Sequence, residues 1–166
     1  MDDALFIRML KLSNEGFRCA QILMILAIES EGVEDGAGEG LIRAVGGLNV
    51  GLADMLGPCG ALTGACCLIS YFAGKGASDE LEDPALSEMV SGFAAWFGSE
   101  FGRADGETSG KQDGKADDKP GGKADGGITC TAILDGDIRN MRARCPDIVR
   151  GSYLKAMEIL EENGVI

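Results

Sequence analysis

Between Ala20 and Ile28 the only polar side chain is Gln21. A helix built from that stretch is apolar nearly all round, and such a helix needs other helices packed about it. The run is far too short to cross a bilayer. It therefore predicts a buried central helix, from about Phe17 or Arg18 to Ile28, with the rest of the chain wrapped around it.

Other segments supply the wrapping. Leu5, Met9 and Leu12, joined by Phe6 and Leu10, share one face of a helix over Asp2–Leu12, and Gly16 provides its stop. An acidic, glycine-rich loop follows over Glu31–Gly40, then a short helix over Leu41–Val45 that Gly46 and Gly47 break. Gly51 and Gly57 mark further turns. Pro58 or Cys59 opens a strong helix to about Phe72, because proline is pre-set for the first helical position, and Gly74 and Gly76 end it. Leu86, Met89, Val90, Phe93, Trp96 and Phe97 make Pro84–Phe101 amphipathic. Thr129 caps a short helix over Cys130–Asp135, and Asp137–Arg144 forms a turn or helix. Cys145-Pro146-Asp147 then opens a last helix that ends near Asn163, before Gly164. No segment reads as a strand. Aromatic residues make up only 5% and glycines number 26, which suits close helix packing better than a β-sandwich. The expected fold class is all-α: a compact multi-helix bundle with glycine-rich turns, forming a single domain over 1–166.

One stretch departs from that pattern. From Gly102 to Gly127 no apolar residue is larger than alanine, and three near-copies of one phrase occur, Gly-Lys-Gln-Asp from Gly110 and Gly-Lys-Ala-Asp from Gly114 and Gly122. Such a segment buries too little apolar surface to offset its ordering entropy, so a mobile low-complexity loop is expected at about 103–127. The net charge of −12 repels nucleic acid and anionic membrane surfaces, and it can steer a basic protein partner. Asp2 and Asp3 stand where a secretion signal would be basic, so the expected compartment is the cytoplasm. Thiols there stay mostly reduced, and the six cysteines point to metal, cluster or catalytic use before structural disulfides.

Four of those cysteines fall where helices are predicted to begin: Cys19, Cys59, Cys130 and Cys145. A helix start favours the thiolate through its dipole and its unpaired N–H groups, so lowered thiol pKa values are expected. Cys59 is followed by Gly60, Ala61, Gly64 and Ala65, which keep its helix thin enough for another backbone or an inorganic group to come close. Cys145 fits an N-cap before Pro146, and Arg142 and Arg144 beside it favour a thiolate. Cys66 and Cys67 lie inside a helix. Adjacent side chains there point about 100° apart, so this pair reads as core. There is no histidine, no C-x-x-C pair, no P-loop and no dinucleotide fingerprint, which removes Cys-His catalysis, haem attachment, a zinc ribbon and a thioredoxin site.

The arrangement resembles the C-GCAxxG-C-C family of small redox-active proteins. Cys59 to Gly64 matches its C-G-A-x-x-G motif, Cys19 lies in Gly16-Phe17-Arg18-Cys19-Ala20-Gln21, Cys130 follows a family-like stretch at Phe97–Gly102, and Cys145 precedes the closing helix. The resemblance spans nearly the whole chain outside the 102–127 tract. It implies an α-helical domain with the four cysteines gathered at one site. A related helical domain in split-Soret cytochromes carries an iron–sulfur cluster, whereas this chain has neither a haem region nor histidine ligands.

The leading expectation is an electron-transfer or redox accessory protein in which Cys19, Cys59, Cys130 and Cys145 ligate an iron–sulfur cluster, most simply a two-iron [2Fe-2S] one, and which serves a redox partner protein. Thiol–disulfide chemistry is the second reading, with Cys59 as nucleophile and Cys19, Cys130 or Cys145 resolving it. A zinc-stabilised interaction module is the third. The bland alternative is a helical scaffold with idle cysteines. A homodimer would cover the apolar surface of so thin a bundle. The residues alone do not decide whether the protein is an enzyme.

Overall fold

A computed structural model describes residues 3–32, 38–103 and 127–166. The chain runs through α1 (Asp3–Asn14), α2 (Cys19–Ser30), α3 (Glu39–Val45), a 3-10 turn (Gly46–Leu48), α4 (Asn49–Leu52), α5 (Gly60–Ala73), α6 (Leu86–Phe101), α7 (Cys130–Ile133), a second 3-10 turn (Ile138–Asn140) and α8 (Met141–Glu162). Among the described residues there is no strand, and Pro58 and Thr129 form an isolated antiparallel bridge. The all-α expectation holds. Residues 33–37 of the predicted acidic loop and 104–126 of the low-complexity tract lie outside the described residues. At the edge of that tract the Arg103 N–H donates to the Gly127 carbonyl at 3.2 Å.

α2 is the central helix that its composition demands: Ala20 and every residue from Ile22 to Ile28 are buried. Its main neighbour is α5, which packs in turn on α8 and α6. Small residues set the α2–α5 distance. A Cβ at Gly64 would lie 2.7 Å from the Ala20 Cα, so the two backbones meet with nothing between them. Four of the nine aromatic residues cluster on α6, which packs on α5. Phe93 and Phe97 of α6 are fully buried, and Trp96 and Phe101 meet edge to face with ring centroids 5.5 Å apart.

Two segments differ from the sequence reading. The last helix was expected to open at Cys145, but α8 starts at Met141 and carries Pro146 inside it. The reason lies upstream. Asp137 caps the preceding 3-10 turn through the Arg139 N–H (2.9 Å), and the Asn140 side-chain amide donates to the Leu134 carbonyl (2.9 Å), so the chain already has helical direction when it reaches Met141. Pro146, in the second turn, has no N–H for the Arg142 carbonyl and its ring crowds that carbonyl, a local cost that the helix carries without ending.

The other segment is α4. Gly51 and Gly57 signalled only turns, yet Val50, Gly51, Leu52 and Ala53 all have positive φ, from 55° to 73°, and make one turn of the wrong hand. Each non-glycine residue in that region costs about 1–2 kcal/mol. Gly51 has no such penalty, and it also has no room for a side chain: a Cβ there would sit 2.7 Å from the Gly57 carbonyl oxygen and 2.8 Å from the Cys130 Cβ. Bonds to the start of α7 hold the segment. The Met55 carbonyl accepts from the Thr131 N–H (2.8 Å) and hydroxyl (2.6 Å), and the Gly57 carbonyl accepts from the Cys130 N–H (3.1 Å).

Candidate functional site

The left-handed turn and the helix starts around it deliver the four helix-start cysteines to one place. Cys19 is the first residue of α2, Cys59 is the N-cap of α5, Cys130 is the first residue of α7, and Cys145 lies one turn into α8. All four line a single cavity of about 700 Å³. The Cys59 N–H donates to the Ile128 carbonyl at 2.9 Å, which together with the Cys130–Gly57 bond stitches the two sulfur-bearing segments side by side. Thr129 caps α7 as expected, its hydroxyl accepting from the Ala132 N–H at 3.2 Å.

The motif glycine explains how close the sulfurs come. A Cβ on Gly60 would lie 2.5 Å from the Cys19 Sγ and 2.7 Å from the Leu48 carbonyl oxygen. Only a residue without a side chain lets the Cys19 thiol and the backbone before α4 rest against the first turn of α5.

Sequence reasoning missed Asn49, which is buried between α2 and α5. Its Oδ1 accepts from the Ala20 N–H at 3.0 Å and from the Cys19 Sγ–H at 3.6 Å, while its Nδ2 donates to Gln21 Oε1 at 3.0 Å. Arg18, the residue at the N-cap of α2, makes no side-chain cap. Asn49 therefore caps α2 from the far side of the fold and holds the Cys19 sulfur with the same oxygen. A local search for caps cannot see a residue thirty positions away; the one available signal was an Asn beside a glycine-rich turn.

The lowered thiol pKa values expected at Cys59, Cys130 and Cys145 are overturned. Burial pushes the Cys59 thiol up to about 12, although the Ala61 and Leu62 N–H groups at the start of α5 pull the other way. Burial, helped by the neighbouring sulfurs of Cys59, Cys19 and Cys130, pushes Cys145 up to about 12 as well. Cys130 is raised for the same reasons. The helix dipole acts over one turn and is worth a fraction of a kcal/mol at most surface sites, and loss of hydration outweighs it here. Of the two arginines beside Cys145, Arg142 lines the cavity, whereas Arg144 is turned away into contacts with Asp135 and the Ile133 carbonyl.

The lining has one further property. In a chain of net charge −12, no carboxylate among the described residues lines the cavity, while Arg18 and Arg142 do. Its other walls are mainly apolar, with Met9, Phe17, Ile22 and Ile148 among them. All six thiols are free, and among the described residues no three His, Cys, Asp or Glu side chains are grouped closely enough to hold a single metal ion.

Cys66 and Cys67 are not part of this cavity. They were read as core, but both are only partly buried, and both line a separate groove with Met24 and Tyr71. No helix among the described residues is long and apolar enough to cross a membrane.

Comparison with known proteins gives one match. The family model described as "Putative redox-active protein (C_GCAxxG_C_C)" covers residues 17–159, from the turn before Cys19 into the last turn of α8. No curated protein and no solved structure matches the chain. The match takes in all four cavity cysteines and the Cys59–Gly64 motif, and the chain belongs to the C_GCAxxG_C_C family of redox-active proteins.

Proposed function

We propose that the chain is an electron-transfer or redox accessory protein whose Cys19, Cys59, Cys130 and Cys145 ligate an iron–sulfur cluster, most simply one with two irons. The observation that carries this reading is the cavity: four thiols from four separate elements, two guanidinium groups and, among the described residues, no carboxylate. Thiolate-ligated clusters are held by four cysteines and carry net negative charge, which the arginines offset. A cluster spreads its ligands over a larger volume than one ion does, in keeping with sulfurs that share a cavity without forming a tight group. When bound, such a group passes single electrons at a potential set by burial and by hydrogen bonds to its sulfurs. The chain's own contribution would be to exclude water with the apolar walls, to hold the Cys19 sulfur at Asn49, and to set the Cys59 sulfur at the N-terminal end of α5.

The same observations weigh against the other readings. A disulfide-exchanging nucleophile has to reach a partner's disulfide, and Cys59 is buried. A structural zinc needs four ligands converging on one point.

The test is anaerobic purification with iron and sulfide analysis, visible absorption, and electron paramagnetic resonance after reduction. The expected result is a coloured protein with iron and sulfide in equal amounts, whose cluster is lost or altered by serine at each of Cys19, Cys59, Cys130 and Cys145. Protein that stays colourless after reconstitution with iron and sulfide overturns the reading.

A further inference from the structure

A groove further along α5 holds three sulfur side chains that the four-cysteine cavity does not use. Cys66, Cys67, Ser70 and Tyr71 line it from α5, Met24 from α2, and Leu41 and Val45 from α3; its volume is about 370 Å³. Residues 66 and 70 form one row along α5 and 67 and 71 the next, so the groove lies over the furrow between two rows. That resolves the objection that neighbouring helical side chains diverge by about 100°. Divergent side chains can still meet an ion seated above the furrow between them. Both thiols are partly exposed, so such an ion has a way in.

The sulfur donors are soft. Among the described residues no carboxylate or imidazole lines the groove, its only oxygen side chains are the Ser70 hydroxyl and the Tyr71 phenol, and the phenol is already committed to Glu31. Thiolate and thioether sulfur together select a monovalent d10 ion, which accepts two or three ligands and needs no oxygen donors. A divalent zinc ion would want four. Oxidation of the pair to a disulfide is no competitor: consecutive Cα atoms are about 3.8 Å apart, below the roughly 4.4–6.8 Å that a disulfide spans.

We propose that Cys66, Cys67 and Met24 form a second metal site, a three-sulfur site for a soft monovalent cation of the Cu(I) class. On binding, two S–H bonds break and two Cu–S bonds form, and two protons pass to solvent. The Met24 sulfur adds a lone pair without losing a proton, and copper stays Cu(I) throughout. The site shares no residue with the iron–sulfur reading and does not depend on it.

The test is an anaerobic titration of the full chain with Cu(I), using bicinchoninate as the competing chromophoric ligand. At saturation the wild type should bind one more equivalent of Cu(I) than the Cys66→Ser/Cys67→Ser double variant, and Met24→Leu should weaken that equivalent by about tenfold. A second measurement needs no variant: alkylation of the folded wild-type protein, followed by peptide mapping, with and without saturating Cu(I). Cys66 and Cys67 should become protected together. Equal stoichiometry in the wild type and a folded double variant, or Cys66 and Cys67 that alkylate as fast with Cu(I) as without it, overturns the proposal. Iron content, read on the same preparations, judges the four-cysteine cavity separately.

Discussion

Replacing Asn49 by alanine removes three bonds at one point and leaves the backbone undisturbed, since Asn49 sits at φ −64°, ψ 146°, where alanine is at ease. The Ala20 N–H loses its acceptor in a fully buried setting, the Cys19 thiol loses its acceptor, and Gln21 loses its donor. Loss of an N-cap costs about 1 kcal/mol, and an unpaired buried N–H about 1–3 kcal/mol. These are two descriptions of one bond and do not add, so a net loss of about 2 kcal/mol is expected once the small cavity is included. For a chain of this size that lowers Tm by roughly 4–8 °C. Asn49→Asp separates the causes. Asp keeps an acceptor for the Ala20 N–H, and its charge suits a helix start, but it cannot donate to Gln21. Thermal unfolding should therefore rank wild type, then Asp, then Ala, and hydrogen exchange at the first turn of α2 should quicken most in the alanine variant. An alanine variant within about 0.5 kcal/mol of the wild type, or an aspartate variant no better than alanine, would refute the capping argument.

Gly60→Ala should cost about 1–3 kcal/mol, because its Cβ would press on the Leu48 carbonyl oxygen and the Cys19 sulfur, whereas Gly92→Ala, with open space around an exposed helical position, should stabilise by about 0.5–1 kcal/mol; chemical unfolding reads both. The metal-free protein should lose stability as pH rises from about 9 to about 12. Cys59 and Cys145 have folded pKa values near 12 against an ordinary 9.0, so the folded state keeps their protons while the unfolded state releases them, and the stability present below pH 9 drains away across that window. Unfolding midpoints measured along a pH series should show this slope, and Cys59→Ala should flatten it. Glu31→Gln should bring the titration of Tyr71 down from about 12 toward an ordinary tyrosine, since the carboxylate that accepts its hydroxyl is the main cause of the shift; ultraviolet difference spectra would follow it.

Where the sequence was read correctly, the signal was local. The apolar run of α2, the alternation on α6, the Thr129 cap and the small residues of α5 each act on neighbours within a few positions, so their patterns survive in one dimension. The glycines of the Cys59–Gly64 motif were legible as a thin helix face, though not that Gly60 is thin for the sake of Cys19 and Gly64 for Ala20. The misreadings share a physical origin in distant partners. Asn49 caps a helix from which it is far removed in sequence. The left-handed run at Val50–Ala53 has ordinary side chains at three of its four positions, and the residues that follow it, Met55 and Gly57, are bonded to the distant start of α7. Thiol protonation was inferred from the helix dipole, a local effect, and decided by burial, a global one.

The segment that carries the wrong-handed turn bears on how two of the cysteines are held. One end of the segment, Asn49, accepts from the Cys19 thiol, and the other end, Gly57, accepts from the Cys130 N–H. The sulfurs at positions 19 and 130, far apart along the chain, are thus tied to the two ends of one short stretch of unusual backbone.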